Sequence, residues 1–438
     1  MIPQRNRQKG LKMKISTSRG VRLAALAVAT GLLATTLAAC SSSSDTPKTF
    51  NIWWYDKDTA MAATWKDALA EFKKNHPDIE VKFQQKTWDQ IQKAGNAILD
   101  SDKAPDLAEW NKGNATAGTA SQAGLISDLT DYSEQYGWDS LIPASGQLVG
   151  RYTDGIMGKG QLYAIPTYGE YVSWFYNKDA FAKYGVAVPT TVDELDAVLA
   201  KIKAQGVTPI ALGGGDYQIV HMAYALAVSK ANQQWVKDFQ FFENPVDFNG
   251  PEWTYAIDTI NRWKSAGYFD SKVSGVKADA AVAAFEKGTY PLMLGGTWLD
   301  QDVDSKAKFA WDKFANPGSG IAEGSAGNVW VIPTRSKQKD LAAEFIDLTL
   351  SKKYQNELGS KGGLPLAADP SALTGDLAIK TNKVFSQIVA ADGLGLYPDW
   401  PVAGYYDVLL KAGVQLLSDG DKAAYIKTTG DFYNQNKP

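Results

Sequence analysis

The sequence predicts an α/β protein built as two lobes. Three features point to this. Apolar segments of strand length alternate with segments of amphipathic helical period. At 438 residues, the chain is longer than a single core normally supports. Loops rich in Gly, Asn, Asp and aromatic residues recur where strands would end, and parallel α/β sheets hold ligands at those ends.

The elements follow in order. Phe50 to Tyr55 reads as the first strand. Met61, Trp65, Leu69 and Phe72 then recur at helical spacing until His76-Pro77 ends the helix. Ile79, Val81 and Phe83 alternate as a second strand, 88–99 reads as a helix, and 106–110 as a third strand. This strand–helix–strand order predicts a parallel sheet with helices on its faces. Thr191-Val192-Asp193-Glu194 has the form of a capping box opening a helix that ends at Gly206. Pro209 to Leu212 is a strand. Pro251 suits the first position of a helix whose buried face carries Trp253, Ile257, Ile260 and Trp263. Tyr290 to Leu294 is another strand, and 341–350 and 402–417 are late helices. Trp65, Trp253 and Trp263 lie on apolar faces and read as core.

Residues 1–39 carry seven basic side chains and no acid, with an apolar run from Val21 to Ala39. That pattern predicts a secretory signal peptide. It ends Leu37-Ala38-Ala39-Cys40, which resembles the bacterial lipobox, in which the cysteine is lipidated after cleavage. An ordinary signal with an incidental cysteine is the alternative. Lys14 to Cys40 is already a complete signal, so Met13 is a second candidate start. Cys40 is the only cysteine, so neither a disulfide nor a thiolate metal cage is available. Residues 40–47 read as a flexible serine-rich tether, and the folded part is expected from Lys48.

Removing those seven basic residues from the 45 leaves 38 cations against 48 acids, a net charge of −10 over residues 40–438. An acidic surface argues against nucleic acid as a partner. The two histidines, His76 and His221, are far apart in sequence, which argues against a metal site. Fourteen Trp, twenty Tyr and sixteen Phe are many; most pack in cores, and a surplus suits stacking on sugar rings.

Four strand-end loops combine polar groups with aromatic faces or glycines: Tyr55-Asp56, Asn111 to Asn114, Gly213 to Tyr217, and Gly295 to Trp298. Asp, Asn and Glu pair with hydroxyls that are donor and acceptor at once. Each loop alone also reads as a turn or a helix cap; their coincidence argues for a site. No glycine run continues as Gly-Lys-Ser/Thr, so phosphate binding is not expected.

Several segments together resemble the carbohydrate-binding family of ABC-importer solute-binding proteins, the group that includes maltose-binding protein. They are Phe50-Asn51-Ile52-Trp53-Trp54, His76-Pro77-Asp78-Ile79, Ala104-Pro105-Asp106-Leu107, Gly160 to Pro166, Trp174 to Lys178, Ala284 to Gly288, Leu292 to Trp298 and Lys361 to Pro365. The resemblance covers essentially the whole chain after the tether. It implies a two-lobed periplasmic-binding-protein-like fold with an interlobe hinge and a ligand cleft. By analogy, 48–163 plus 317–350 form one lobe and 164–316 plus 351–438 the other, with a first crossing at 162–166.

It also implies site residues. Trp298, beyond Gly296, resembles the family's stacking element. Asp399 and Trp400, in Leu396 to Pro401, resemble an acceptor and a platform. Asn111 and Asn114 resemble first-lobe contacts, Tyr168 and Glu170 follow the hinge, and Tyr55, Asp56, Asp216, Tyr217 and His221 are further candidates. Trp330 reads as cleft or core. His221 alone in an apolar helix also reads as a core histidine, and Lys112 reads as a carboxylate partner or a solvated charge.

The function implied is capture of a carbohydrate, a di- or oligosaccharide from the number of aromatic platforms, for delivery to ABC permease subunits. The protein is expected to be a monomer at the extracytoplasmic face of the cell membrane, held by lipid on Cys40, with no cofactor, metal or catalytic residue. A secreted glycoside hydrolase using carboxylates such as Asp300, Asp399, Glu170 or Asp216 is the competing reading. A polyamine or peptide binder is another.

Overall fold

The computed structural model describes residues 48–438, apart from 56–58, 88–89, 92–93 and 143. The signal, Cys40, the tether and Asp56 lie outside the described residues. No described helix is long and apolar enough to cross a membrane.

Two sheets organise residues 48–438. In the first, the order is Ile79–Gln85, Lys48–Trp54, Leu107–Trp110, Val329–Val331, Ile165–Pro166. Lys48–Trp54 runs parallel to both neighbours, in register Lys48↔Ile79 and Ile52↔Leu107. In the second, the order is Trp311–Phe314, Glu170–Asn177, Leu292–Gly296, Ile210–Ala211, and Gly324–Ser325 also pairs with Glu170–Asn177. A small three-stranded sheet spans 151–162.

The sheets are mixed, not wholly parallel as the strand–helix alternation predicts. Glu170–Asn177 is antiparallel to both Leu292–Gly296 and Trp311–Phe314, and Val329–Val331 is antiparallel to Leu107–Trp110. Strands that enter a sheet directly from the other one lack the helical crossover that a parallel neighbour requires. The chain passes from Ile165–Pro166 to Glu170 in one direction and from Gly324–Ser325 to Val329 in the other. The return to the first sheet therefore comes after Ser325, beyond the expected Pro317.

Local chemistry explains most boundaries. Thr191 and Glu194 form the capping box of helix Val192–Lys203, whose buried face is Val192, Leu195, Val198, Leu199 and Ile202. Pro251 occupies the first turn of Pro251–Ser265, which buries Trp253, Ile257, Ile260 and Trp263. The strand expected from Tyr290 begins at Leu292, because Pro291 has no N–H to give to a ladder. The helix expected over 88–99 is described only in part: 90, 91 and 94 are helical and Asn96–Ile98 is a 3₁₀ turn. The two expected late helices are Lys339–Leu350 and Tyr405–Asp419, and Lys352–Ser360, Asp376–Ala390 and Lys422–Asn436 are helical as well.

The core of the first sheet gathers Phe50, Ile52, Trp65, Phe72, Trp330 and Phe345. In the second, Trp174 meets Trp263 edge-on at 6.1 Å, and Phe175 stacks on Trp311 at 5.6 Å from the other face. All eight residues of Glu170–Asn177 are buried, so this strand carries apolar cover on both sides.

The strand Leu107–Trp110 leads into the turn that matters for function. Gly113, at φ 94°, opens a π-helical turn Asn114–Gly118. A Cβ on Gly113 would lie 2.6 Å from Cβ and Cγ of Trp400. The Ala115 N–H donates to the Trp400 carbonyl at 2.9 Å, fixing the 396–401 loop against this turn. Gly113→Ala should therefore cost about 1–3 kcal/mol in strain and overpacking, read as a lower unfolding midpoint. An unchanged midpoint would show that the turn and the Trp400 loop are not locked together.

Candidate functional site

Where the two sheets' loops meet, an ammonium group is buried. Lys112 follows the third strand of the first sheet, and its Nζ donates to Glu170, the first residue of Glu170–Asn177 in the second. It also donates to Asn328 Oδ1 at 2.9 Å. The two charged side chains are 4% and 9% exposed, so water screens them little. Above Nζ stand the rings of Tyr397 and Trp400, each with its centroid at 5.2 Å.

The loop that brings these rings is strained. Leu396 has φ 56°, a left-handed conformation that a branched residue seldom adopts. It is held by a bridge to Gly324 and by the Tyr224 hydroxyl, which donates to the Gly395 carbonyl. Backbone strain of this kind persists where surrounding structure over-determines it, and functional sites are where it concentrates.

Beside the ammonium lies an aromatic cup. Asp216 caps helix Tyr217–Val228, which places Tyr217 and His221 one turn apart on the same face. Trp298 follows the strand Leu292–Gly296 and folds its ring back over Gly296, where a Cβ would meet that ring at 2.1 Å. Only glycine leaves room for it. The rings of Tyr217, Trp298 and Tyr397 lie 5.3, 5.7 and 5.9 Å from the His221 ring. Trp298 Nε1 donates to Tyr217 Oη at 3.4 Å.

His221 is anchored from behind. Its Nδ1 lies 2.6 Å from Glu323 Oε1, and the Glu323 side chain is fully buried. Burial pushes Glu323 up to about 7, against the pull of His221. Burial alone would lower His221, but the facing Glu323 carboxylate, with Asp399 and Glu170 adding to it, more than offsets that and the imidazole ends above its usual value. Asp399, partly exposed, is raised by burial despite its own backbone N–H and the charges of His221 and Lys112.

The structure thus brings Glu170, Tyr217, Trp298, Asp399 and Trp400 into one region with His221. Tyr168 borders it: its hydroxyl donates to Glu109 at 3.4 Å, and it lines a small recess with Glu170 and Trp298. Tyr55 is buried beside Glu109, which accepts its backbone N–H at 2.6 Å. Asn111 is buried in the turn, its Oδ1 accepting from Lys112 N at 3.1 Å. Asn114 uses both amide ends on the frame, donating to the Gln240 carbonyl at 2.9 Å and accepting from Met157 N at 2.7 Å. Asp216 accepts from Tyr217 N at 2.8 Å as a helix cap. Trp330 lies in the core of the first sheet, edge-on to Phe345 at 6.0 Å.

Glu109, Glu323, Asn328 and Tyr397 belong to this region and are missing from the sequence-based candidates. The available signal was an acid inside an otherwise apolar strand, Leu107-Ala108-Glu109-Trp110, and one inside the glycine-rich 318–327 stretch.

The coupling of His221 to Glu323 is directly measurable. The protein has two histidines, so imidazole NMR resolves each. His221 should titrate above the ordinary value of about 6.5, adding stability below that pH and giving it up as pH rises past the raised value. In Glu323→Gln, burial is left as the main influence and the midpoint should fall below 6.5. An unmoved midpoint would contradict the pairing.

Residues 55–356 match the family of bacterial extracellular solute-binding proteins, more than half of the chain. A probable sugar-binding periplasmic protein of Mesorhizobium japonicum is 28% identical over 255 residues, which are 56% of this chain and 59% of that protein, so the chain matches little more than half of that relative's length. The diacetylchitobiose-binding protein of Streptomyces coelicolor is 24% identical over 86% of this chain and 91% of its own. Among solved structures, an ABC substrate-binding protein from Listeria monocytogenes in complex with cycloalternan superposes with a TM-score of 0.72 at 19% identity, over 89% of this chain and 98% of that one. At that identity the likeness is one of fold: two α/β lobes about a cleft. The chain belongs to the bacterial extracellular solute-binding protein family.

Proposed function

We propose that the protein is the binding component of an ABC importer, taking up a carbohydrate between its two lobes and handing it to the membrane permease. The observation that carries this is the cup formed by Tyr217, Trp298 and Tyr397 beside Lys112, Glu170 and Asp399. Flat rings offer a face to the C–H side of a pyranose, and the charged groups offer strong donors and acceptors to its hydroxyls. Relatives named for sugars support the carbohydrate class: the Mesorhizobium protein, the diacetylchitobiose-binding protein and the cycloalternan complex.

The links at 166–170 and 325–329 are the hinge, since few residues there join one sheet to the other. Several ring faces suit a di- or oligosaccharide. The protein acts as a monomer anchored by lipid on Cys40 at the outer face of the cell membrane, and it binds without cleaving.

A thermal-shift screen of residues 48–438 against mono- and oligosaccharides tests this. A ligand at 100 times its Kd should add about 2.7 kcal/mol of stability, and the sugar should be recovered intact. Cleavage products would make the protein a hydrolase. Trp298→Ala should weaken binding by about 2 kcal/mol, roughly thirtyfold, with little loss of stability because the ring is part-exposed. An unchanged Kd in that variant would remove Trp298 from the site.

A further inference from the structure

A histidine satisfied inside a core has both ring nitrogens engaged. His221 has one. Its Nδ1 lies 2.6 Å from Glu323 Oε1, and Nε2, on the far edge of the ring, has no hydrogen-bond partner among the described residues. The Glu323 side chain is fully buried while the imidazole is 13% exposed, so the exposed edge is the one that carries Nε2. That edge opens between aromatic rings. Tyr217 and Tyr397 meet the imidazole at 74° and 72° and Trp298 meets it at 46°, so none of the three lies flat against it. Tyr217, His221 and Trp298 are all part-exposed, which makes this the open side of the cup.

Glu323 decides what Nε2 offers. Its other oxygen, Oε2, is buried without a hydrogen-bond partner among the described residues, so the carboxylate depends on His221. One proton lies between Oε1 and Nδ1. If it stays on the carboxyl, the imidazole is neutral and its own hydrogen is on Nε2. If it sits on Nδ1, the ring is an imidazolium and Nε2 again carries hydrogen. Nε2 becomes an acceptor only when the pair loses a proton, and that leaves a negative carboxylate buried beside a neutral ring. The buried acid thus holds Nε2 as an N–H donor at the cup. The other groups around the ring oppose nothing in this. Glu170 and Asp399 add negative potential at the imidazole, and Lys112 is engaged by Glu170. Burial raises the hydroxyls of Tyr217, to about 12, and of Tyr397, so both stay neutral.

We propose that His221 is a ligand contact, its Nε2–H donating to an oxygen of the sugar held by Tyr217, Trp298 and Tyr397. This rests on the carbohydrate reading above and goes beyond it by assigning the polar contact inside the aromatic cup and the protonation state that contact needs. Binding then depends on pH with a fixed sign. Below the His221 midpoint the donor is in place. As pH rises through the midpoint the donor is lost, and a sugar hydroxyl has to turn and donate to a neutral nitrogen.

Calorimetry with glucose, galactose, maltose, cellobiose and N,N′-diacetylchitobiose tests this, run about one unit below and about two units above the His221 midpoint found by imidazole NMR. For whichever of these sugars binds, Kd should be about fivefold weaker at the higher pH, the gap between a charge-assisted and a neutral hydrogen bond. By reciprocity, the same sugar at saturation should raise the His221 midpoint by about 0.7 unit, the logarithm of that factor. His221→Phe keeps a ring without a donor, so it should bind at least about tenfold more weakly at the lower pH and lose the pH dependence. His221→Gln, whose amide donates from the same place, should recover part of the affinity and none of the pH dependence. Should these variants fail to fold, the midpoint shift in the intact protein decides the matter. A sugar that binds equally at both pH values and leaves the His221 midpoint unmoved overturns the inference and leaves the carbohydrate reading standing. Binding of none of the sugars overturns the carbohydrate reading and this inference with it.

Discussion

The buried Lys112–Glu170 pair is the constraint around which the site is arranged. One partner follows a strand of the first sheet and the other begins a strand of the second, so the contact exists only when the two sheets' loops are brought together. Desolvating two charges is expensive, and their attraction repays it only when further hydrogen bonds complete the geometry. Asn328 Oδ1 accepts one from the ammonium, and the Ser325 hydroxyl donates one to Glu170 at 3.4 Å. Both belong to the segment that carries the chain back into the first sheet. The crossing that joins the sheets also completes the ion pair that holds them.

From this pair the rest of the site follows by contact. Tyr397 and Trp400 cover the ammonium because Leu396 takes a left-handed turn and Ala115 holds the Trp400 carbonyl. Trp400 fits because position 113 is glycine, and Trp298 lies flat because position 296 is glycine. Two glycines far apart in sequence thus do the same work, letting an indole lie against backbone. His221 is turned toward the cup because Glu323 holds its other nitrogen.

The strands and helices were legible because their periodicity is local. The capping box at Thr191 and the proline opening Pro251–Ser265 needed only neighbouring residues to be recognised. Strand direction was not legible: whether Val329–Val331 runs with or against Leu107–Trp110 depends on the path between sheets, which no local pattern encodes. Of the aromatic part of the site, Trp298 and Tyr217 could be read from strand-end loops, and Trp400 only through the family resemblance of Leu396 to Pro401. Glu170, Asp399, His221 and Lys112 were candidates too, but which charge meets which could not be read. Lys112 and Glu170 are 58 positions apart, His221 and Glu323 102 apart, and a buried pair leaves no trace in composition. Asn114 shows the converse: its amide looks poised for a ligand in sequence, yet the frame uses both of its ends.

The central claim is that the two sheets are coupled through a buried pair that neither partner tolerates losing alone. A double-mutant stability cycle on Lys112→Met and Glu170→Gln measures this directly. Each single change leaves one charge buried without its counterpart and should cost about 3–5 kcal/mol, whereas the double change should recover most of that loss. Two small, additive effects would contradict the account, because the pair would then be a surface contact and the site would have no such keystone.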